Sequence, residues 1–172
     1  TLSPMTISFW MKPTSMPGNA YPLDKSNCGV GGWAYNMRSF GSSFEFTVDY
    51  SGTDLGVRPK ASLIDMNQWQ HWTLTWDGST NASNVHFYKN GSEVEYQLQQ
   101  DATGTRANDS GRILRIGTGC GYGFPGILDD VRIYSRTLSS NEVSDLYNAT
   151  EEKTPDPTPT SGDTTPPTIS SI

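Results

Sequence analysis

The sequence predicts an all-β fold, an antiparallel β-sandwich with one short C-terminal helix. Aromatic and branched residues recur at every second position in several short runs, which is the period of a half-buried strand. Seventeen glycines and 11 prolines punctuate those runs, and a helical spacing of apolar residues follows a capping signal near residue 140. The chain has 172 residues, room for one domain and a remainder. Its 18 acidic against 12 basic residues give a net charge of -6, which argues against nucleic acid as a partner. No apolar run approaches the ~20 residues of a membrane span, so no membrane insertion is expected.

Taken in order, Ile7, Phe9 and Met11 form the first alternating set, Trp33, Tyr35 and Met37 the second. From Phe44 to Tyr50 the alternation is cleanest: Phe44, Phe46, Val48 and Tyr50 share one face, while Glu45, Thr47 and Asp49 read as the solvated face. Trp72, Leu74 and Trp76 follow. Val85 and Phe87 lead into Asn90-Gly91, with Val94, Tyr96 and Leu98 beyond, the signature of a type I′ hairpin. Strands are also expected at 112–117 and 127–134. Ser139 to Glu142 has capping-box spacing, and Val143, Leu146 and Tyr147 then fall on one helical face.

The character changes after Ala149. Residues 150–167 form a Pro/Thr-rich linker, and 168–172 read as the start of a following module or as a strand donated to a neighbour's sheet edge. Glu151, Glu152, Asp156 and Asp163 against Lys153 give this tail -3, half the total charge. Thr1 to Pro4 lacks the basic and apolar regions of a leader peptide and the chain has no initiating Met, so it reads as part of a longer protein. Sequons stand at Asn81, Asn90, Asn108 and Asn148. Cys28 and Cys120 are the two cysteines; they suit one disulfide or two buried thiols, and the disulfide is the preferred reading.

Five blocks, Thr6 to Pro13, Gln68 to Gly78, Phe87 to Gly91, Leu114 to Gly117 and Gly126 to Ser139, in that order and spacing, resemble the laminin G-like domains of the concanavalin A-like lectin and glucanase superfamily. The resemblance covers residues 5 to about 148 and implies a jelly roll, residues 1–149 being the domain. Relatives usually carry a strand or more before the first block, so the first strand is expected to be missing or supplied by another chain.

Some relatives are glycoside hydrolases, whose Glu-x-Asp-x-x-Glu strand places two carboxylates against one sugar. That pattern is absent here, as is a histidine set for zinc or a catalytic triad, since His71 and His86 are the only histidines. No enzyme is expected. The resemblance also implies Ca2+ at the position of Asp129; the alternative is a carboxylate accepting hydrogen bonds from turn backbone. For sugar binding, aromatic faces beside planar polar groups are needed. A Cys28–Cys120 bond would bring two Gly-rich loops together, making Tyr21, Trp33, Tyr122 and Phe124, with Asn36 and Arg38 on the outward face of a strand, the candidate contacts. Trp33 and Phe124 have a core role as the competing reading. Tyr122, between glycines, is the leading candidate.

The expectation is thus a carbohydrate-binding or adhesion module, secreted or at the cell surface, with a glycan or extracellular protein and neighbouring modules as partners. The competing expectation is a spacer or self-assembling subunit of a surface fibre.

Overall fold

The computed structural model describes residues 3–27 and 33–151, apart from the side chains of residues 33, 150 and 151. Two antiparallel sheets face one another. One has five strands in the order β13-β1-β6-β7-β8 and the other six in the order β10-β2-β3-β4-β5-β9. The five-stranded sheet comprises β1 (Met5–Pro13), β6 (Gln70–Trp76), β7 (Val85–Lys89), β8 (Ser92–Glu93) and β13 (Gly126–Tyr134). The six-stranded sheet comprises β2 (Leu23–Ser26), β3 (Trp33–Phe40), β4 (Ser43–Val48), β5 (Leu55–Pro59), β9 (Tyr96–Gln100) and β10 (Ile113–Ile116). A separate small hairpin pairs β11 (Thr118–Gly119) with β12 (Tyr122–Gly123).

Alternation explains the core. Ile7, Phe9 and Met11 of β1 and Trp72, Leu74 and Trp76 of β6 point inward against Tyr35 and Met37 of β3 and Phe44, Phe46 and Val48 of β4. Phe44 meets Trp72 edge to face at 5.2 Å, and Phe46 meets Trp76 at 5.9 Å, the arrangement that ring quadrupoles favour.

The Asn90-Gly91 turn forms as expected, with φ of +49° and +77° at its two central residues. The strand beyond it departs from expectation. It pairs with β7 only over Ser92–Glu93, then crosses to the other sheet, where Tyr96–Gln100 pairs with β5. Tyr96 marks the crossing, because its hydroxyl accepts the Phe87 N–H at 2.9 Å.

α1 (Ser140–Glu151) runs two residues past the boundary expected at 149. Its capping box forms: the Ser139 N–H donates to Glu142 at 2.8 Å and the Glu142 N–H to the Ser139 hydroxyl at 3.3 Å. Val143 of α1 packs with Leu138 and Tyr88 in a small second cluster on the outer face of the five-stranded sheet. No helix among the described residues is long and apolar enough to cross a membrane. Residues 152–172, which hold the expected linker and the 168–172 segment, lie outside the described residues.

Candidate functional site

The outer faces of the two sheets carry the chain's outward polar positions, and they have different surroundings. On the five-stranded sheet, Thr6, Ser8, His71, Thr73 and Thr75 are buried. The His71 Nε2 lies 2.8 Å from the Ser8 hydroxyl. Its ring sits 5.3 Å from Trp10 and 5.9 Å from Tyr147 of α1. Burial pushes the His71 pKa down to about 4, against a raising effect of Asp130, with Arg132 lowering it further. His71 is therefore a neutral packing residue, as its place on a strand suggested.

On the six-stranded sheet, a row of charge crosses the outer face. Arg38 of β3 donates to Glu45 of β4 at 3.2 Å, and Arg58 of β5 donates to the other carboxylate oxygen through Nε at 2.9 Å and through a second nitrogen. Burial raises the Glu45 carboxyl, but the Arg58 and Arg38 guanidinium groups outweigh it and hold it below its ordinary value. Glu45 is only 8 % exposed. This corrects the reading of Glu45 as part of a solvated face: long arginine stems and paired charges cover it. Arg38 also donates to Asn19 at 3.3 Å.

Two aromatic side chains are exposed among the described residues' large hydrophobics, Phe40 at 43 % and Tyr122 at 54 %. Phe40 ends β3 two residues beyond Arg38, before the Gly41-Ser42 turn, and the Arg58 guanidinium lies 3.5 Å from its ring centroid. That cation–π contact ties the strand-end ring to the charged row. Sequence reasoning missed Phe40, Glu45 and Arg58 as functional candidates. The one available signal was Phe40 standing at a strand end, out of phase with the core residues Tyr35 and Met37.

Tyr122 is placed by backbone chemistry. Cys120 and Gly121 form the two-residue turn of the small hairpin, with φ of +44° and +89°. The hairpin's other strand lies flat on the sheet, because a side chain at Gly119 would come within 2.6 Å of the Tyr21 ring and 2.9 Å of Asp24. Tyr122 therefore projects outward above Tyr21.

Tyr21 is itself only 5 % exposed, and burial is the first cause raising its phenol pKa, opposed by the facing Arg38. It supports the hairpin and does not present a stacking face, contrary to expectation. Phe124 is 9 % exposed and belongs to the core cluster, so the alternative reading holds for it. The Trp33 side chain lies outside the described side chains.

Arg38 lies on the outward face as expected. Asn36 shares that face but is fully buried, which removes it from direct contact with a ligand in this arrangement. It stands opposite Asp24 and Thr47 in the strand register. Both of its amide atoms, and the Asp24 Oδ1, lack hydrogen-bond partners, an expensive arrangement for buried groups. The other Asp24 oxygen accepts from the Ser26 hydroxyl at 2.6 Å.

Cys120 Sγ lies 3.0 Å from the Ser26 hydroxyl oxygen; Cys28 lies outside the described residues. Asp129 is exposed and its Oδ1 accepts the Asp130 N–H at 2.7 Å, a backbone hydrogen bond made at the register irregularity within β13 rather than in a turn. No group of three or more His, Cys, Asp or Glu side chains comes together among the described residues.

A laminin G family model, described as the concanavalin A-like lectin/glucanases superfamily, matches residues 1–144. The adhesion G-protein coupled receptor V1 of Danio rerio is 25% identical over 155 residues, which cover 86% of this chain and 2% of the receptor. The chain therefore spans a very small part of that relative. Among solved structures, a native heptameric pentraxin of Limulus polyphemus aligns with a TM-score of 0.57 at 15% identity, covering 85% of this chain and 70% of the pentraxin. A botulinum neurotoxin type C structure, described as showing cell entry dependent on interaction with two ganglioside molecules, aligns at 0.57 and 16% identity over 86% of this chain and 36% of the toxin chain. These structural likenesses concern the jelly-roll fold. With the family model spanning both sheets and reaching into α1, the chain belongs to the concanavalin A-like lectin/glucanases superfamily, as a laminin G-type jelly roll.

Proposed function

We propose that this module binds carbohydrate without catalysis and serves adhesion at the cell surface or outside the cell, as one unit of a multidomain protein. The observation that carries this reading is Tyr122: a 54 % exposed aromatic ring in the strand that follows a two-residue turn, near Tyr21, which in turn faces Arg38 of the Arg38–Glu45–Arg58 row. An aromatic face next to fixed donors and acceptors is the chemistry that holds a sugar ring. The adhesion receptor and the ganglioside-dependent toxin among its relatives and fold neighbours support this class of role and a surface or extracellular location.

A glycan array followed by titration calorimetry tests the proposal. Binding of at least one glycan, weakened about tenfold by Tyr122→Ala, supports it. A silent array with intact fold supports the spacer reading instead. The Cys28–Cys120 disulfide belongs to the same proposal, since Cys120 anchors the hairpin that carries Tyr122. Two thiols alkylated in the unreduced protein would refute it. Ca2+ is checked by melting with EDTA: an unchanged midpoint removes a structural ion.

A further inference from the structure

Beyond the carbohydrate role, we infer that the side of the sandwich between β13 and β10 accepts residues 168–172 of a neighbouring copy of this chain as an added strand, so that copies join head to tail. The two sides of the sandwich differ. On one, the chain passes from sheet to sheet after Glu93. There the Val94 N–H donates to the Phe87 carbonyl at 3.0 Å and the Lys60 N–H to the Glu95 carbonyl at 2.8 Å, while Val94 and Tyr96 pack on the core. On the other side β13 and β10 end their sheets, each with a partner strand on one flank only among the described residues. The two strands converge at Gly117, where a side chain would meet Leu128 at 3.6 Å. Beyond that point their inward side chains are incompletely covered. Ile116 stands in register with the buried Leu23 and so faces the interior, yet it is 48 % exposed. Ile133, in register with the buried Ile7, is half-buried. Inward apolar surface beside an unpaired backbone edge is what an added strand covers.

The shape of the edge selects a short strand. β13 bulges at Asp130, with φ of +46°, where Asp130 and Val131 together oppose Phe9. The bulge leaves Val131–Tyr134 as the unbroken edge beyond it, too short for a second β13 to lie along and matched in length to Thr168–Ile172. Residues 164–172 carry no charge to desolvate. In an extended segment Ile169 and Ile172 fall on opposite faces, so either register turns one isoleucine toward the slot. The 16 residues 152–167 contain five prolines. Chain of this composition is stiff and, at ~3.1 Å per residue, would span roughly 50 Å, against a radius of gyration of about 15 Å for a domain of this size. Such a spacer carries the segment clear of its own body and within reach of the next. Donor and acceptor surfaces differ, so the contact repeats without closing on itself.

The experiment is light scattering on the full chain over a wide concentration range. Wild type is expected to form dimers and longer species that grow with concentration. The double variant Ile169→Asp/Ile172→Asp puts a carboxylate against the slot in either register and should weaken association at least about tenfold. Ile116→Glu should do the same from the acceptor side. An equal mixture of the two variants should give heterodimers and nothing longer, because one keeps the acceptor edge and the other keeps the donor segment. Labelled in turn, only the tail-substituted partner should show slowed hydrogen exchange in β10 and β13. Wild type that stays monomeric throughout, a tail variant that assembles as wild type does, or a mixture of folded variants that fails to pair would each overturn the inference. The tail substitutions lie outside the sandwich, so the first two outcomes decide even if Ile116→Glu does not fold. Glycan binding should be the same in the tail variant and in wild type, which keeps this inference separate from the carbohydrate reading.

Discussion

The outer faces of the two sheets begin from the same sequence pattern, polar residues alternating with core residues, and end in opposite roles. On the five-stranded sheet, His71 is sealed between Trp10 and Tyr147, and its neighbours Ser8 and Thr73 are buried with it. On the six-stranded sheet, Arg38 and Arg58 both pair with Glu45, Phe40 reaches solvent against Arg58, and Tyr122 reaches solvent near Tyr21. The difference shows that outward polarity does not by itself mark a ligand surface. What packs over the strand decides, and α1 takes that place on only one of the two faces.

Substitutions on the covered face should change stability, and those on the open face should change affinity. The largest expected effect is the pH response of His71. Its folded pKa, about 4, lies below the ordinary 6.5, so the unfolded chain binds the proton that the folded chain refuses. Stability contributed by the neutral ring is therefore complete above pH 6.5 and declines as pH falls toward 4, by about 3 kcal/mol in total. Denaturant unfolding of wild type and His71→Gln across that interval should show this loss in the wild type only; parallel curves would mean His71 is not sealed. Next, Tyr147→Ala should cost about 2 kcal/mol by uncovering Trp10 and His71, without altering glycan affinity. Ser139→Ala should cost about 1 kcal/mol by removing the cap of α1. The smallest effect is expected from Asn36→Leu. Replacing an amide whose two polar atoms lack partners should leave stability within about 0.5 kcal/mol of wild type or raise it. A large loss there would mean that a bound water or ligand satisfies the amide.

Much of this fold was legible because alternation is a local signal. Phe44 to Val48 and Trp72 to Trp76 announce their inner faces in the order of their side chains. The Ser139/Glu142 box and the Asn90-Gly91 turn rest on residue types that only a few backbone conformations reward. The short strands β2 and β5 escaped notice because Leu23–Ser26 and Leu55–Pro59 contain too few apolar positions to show a period. The crossing of the chain after Glu93 depends on where Tyr96 finds the Phe87 N–H across the sandwich, a contact no spacing encodes.

The site was less legible for a related reason. The exposure of Tyr122 was legible because its flanking glycines report a turn. Tyr21 and Asn36 were misjudged because their burial depends on the small hairpin and on facing strands. Glu45 and Arg58 meet only through the pairing of β4 with β5. Phe40 acquires its significance from an arginine 18 residues away.

The claim that the open sheet face binds the ligand is tested most directly by mapping the bound glycan on isotope-labelled protein by NMR. The account predicts chemical-shift changes concentrated at Tyr122 and Arg38, with α1 and His71 silent. Changes centred on α1 or on the Asp129 region, with Tyr122 unmoved, would contradict it.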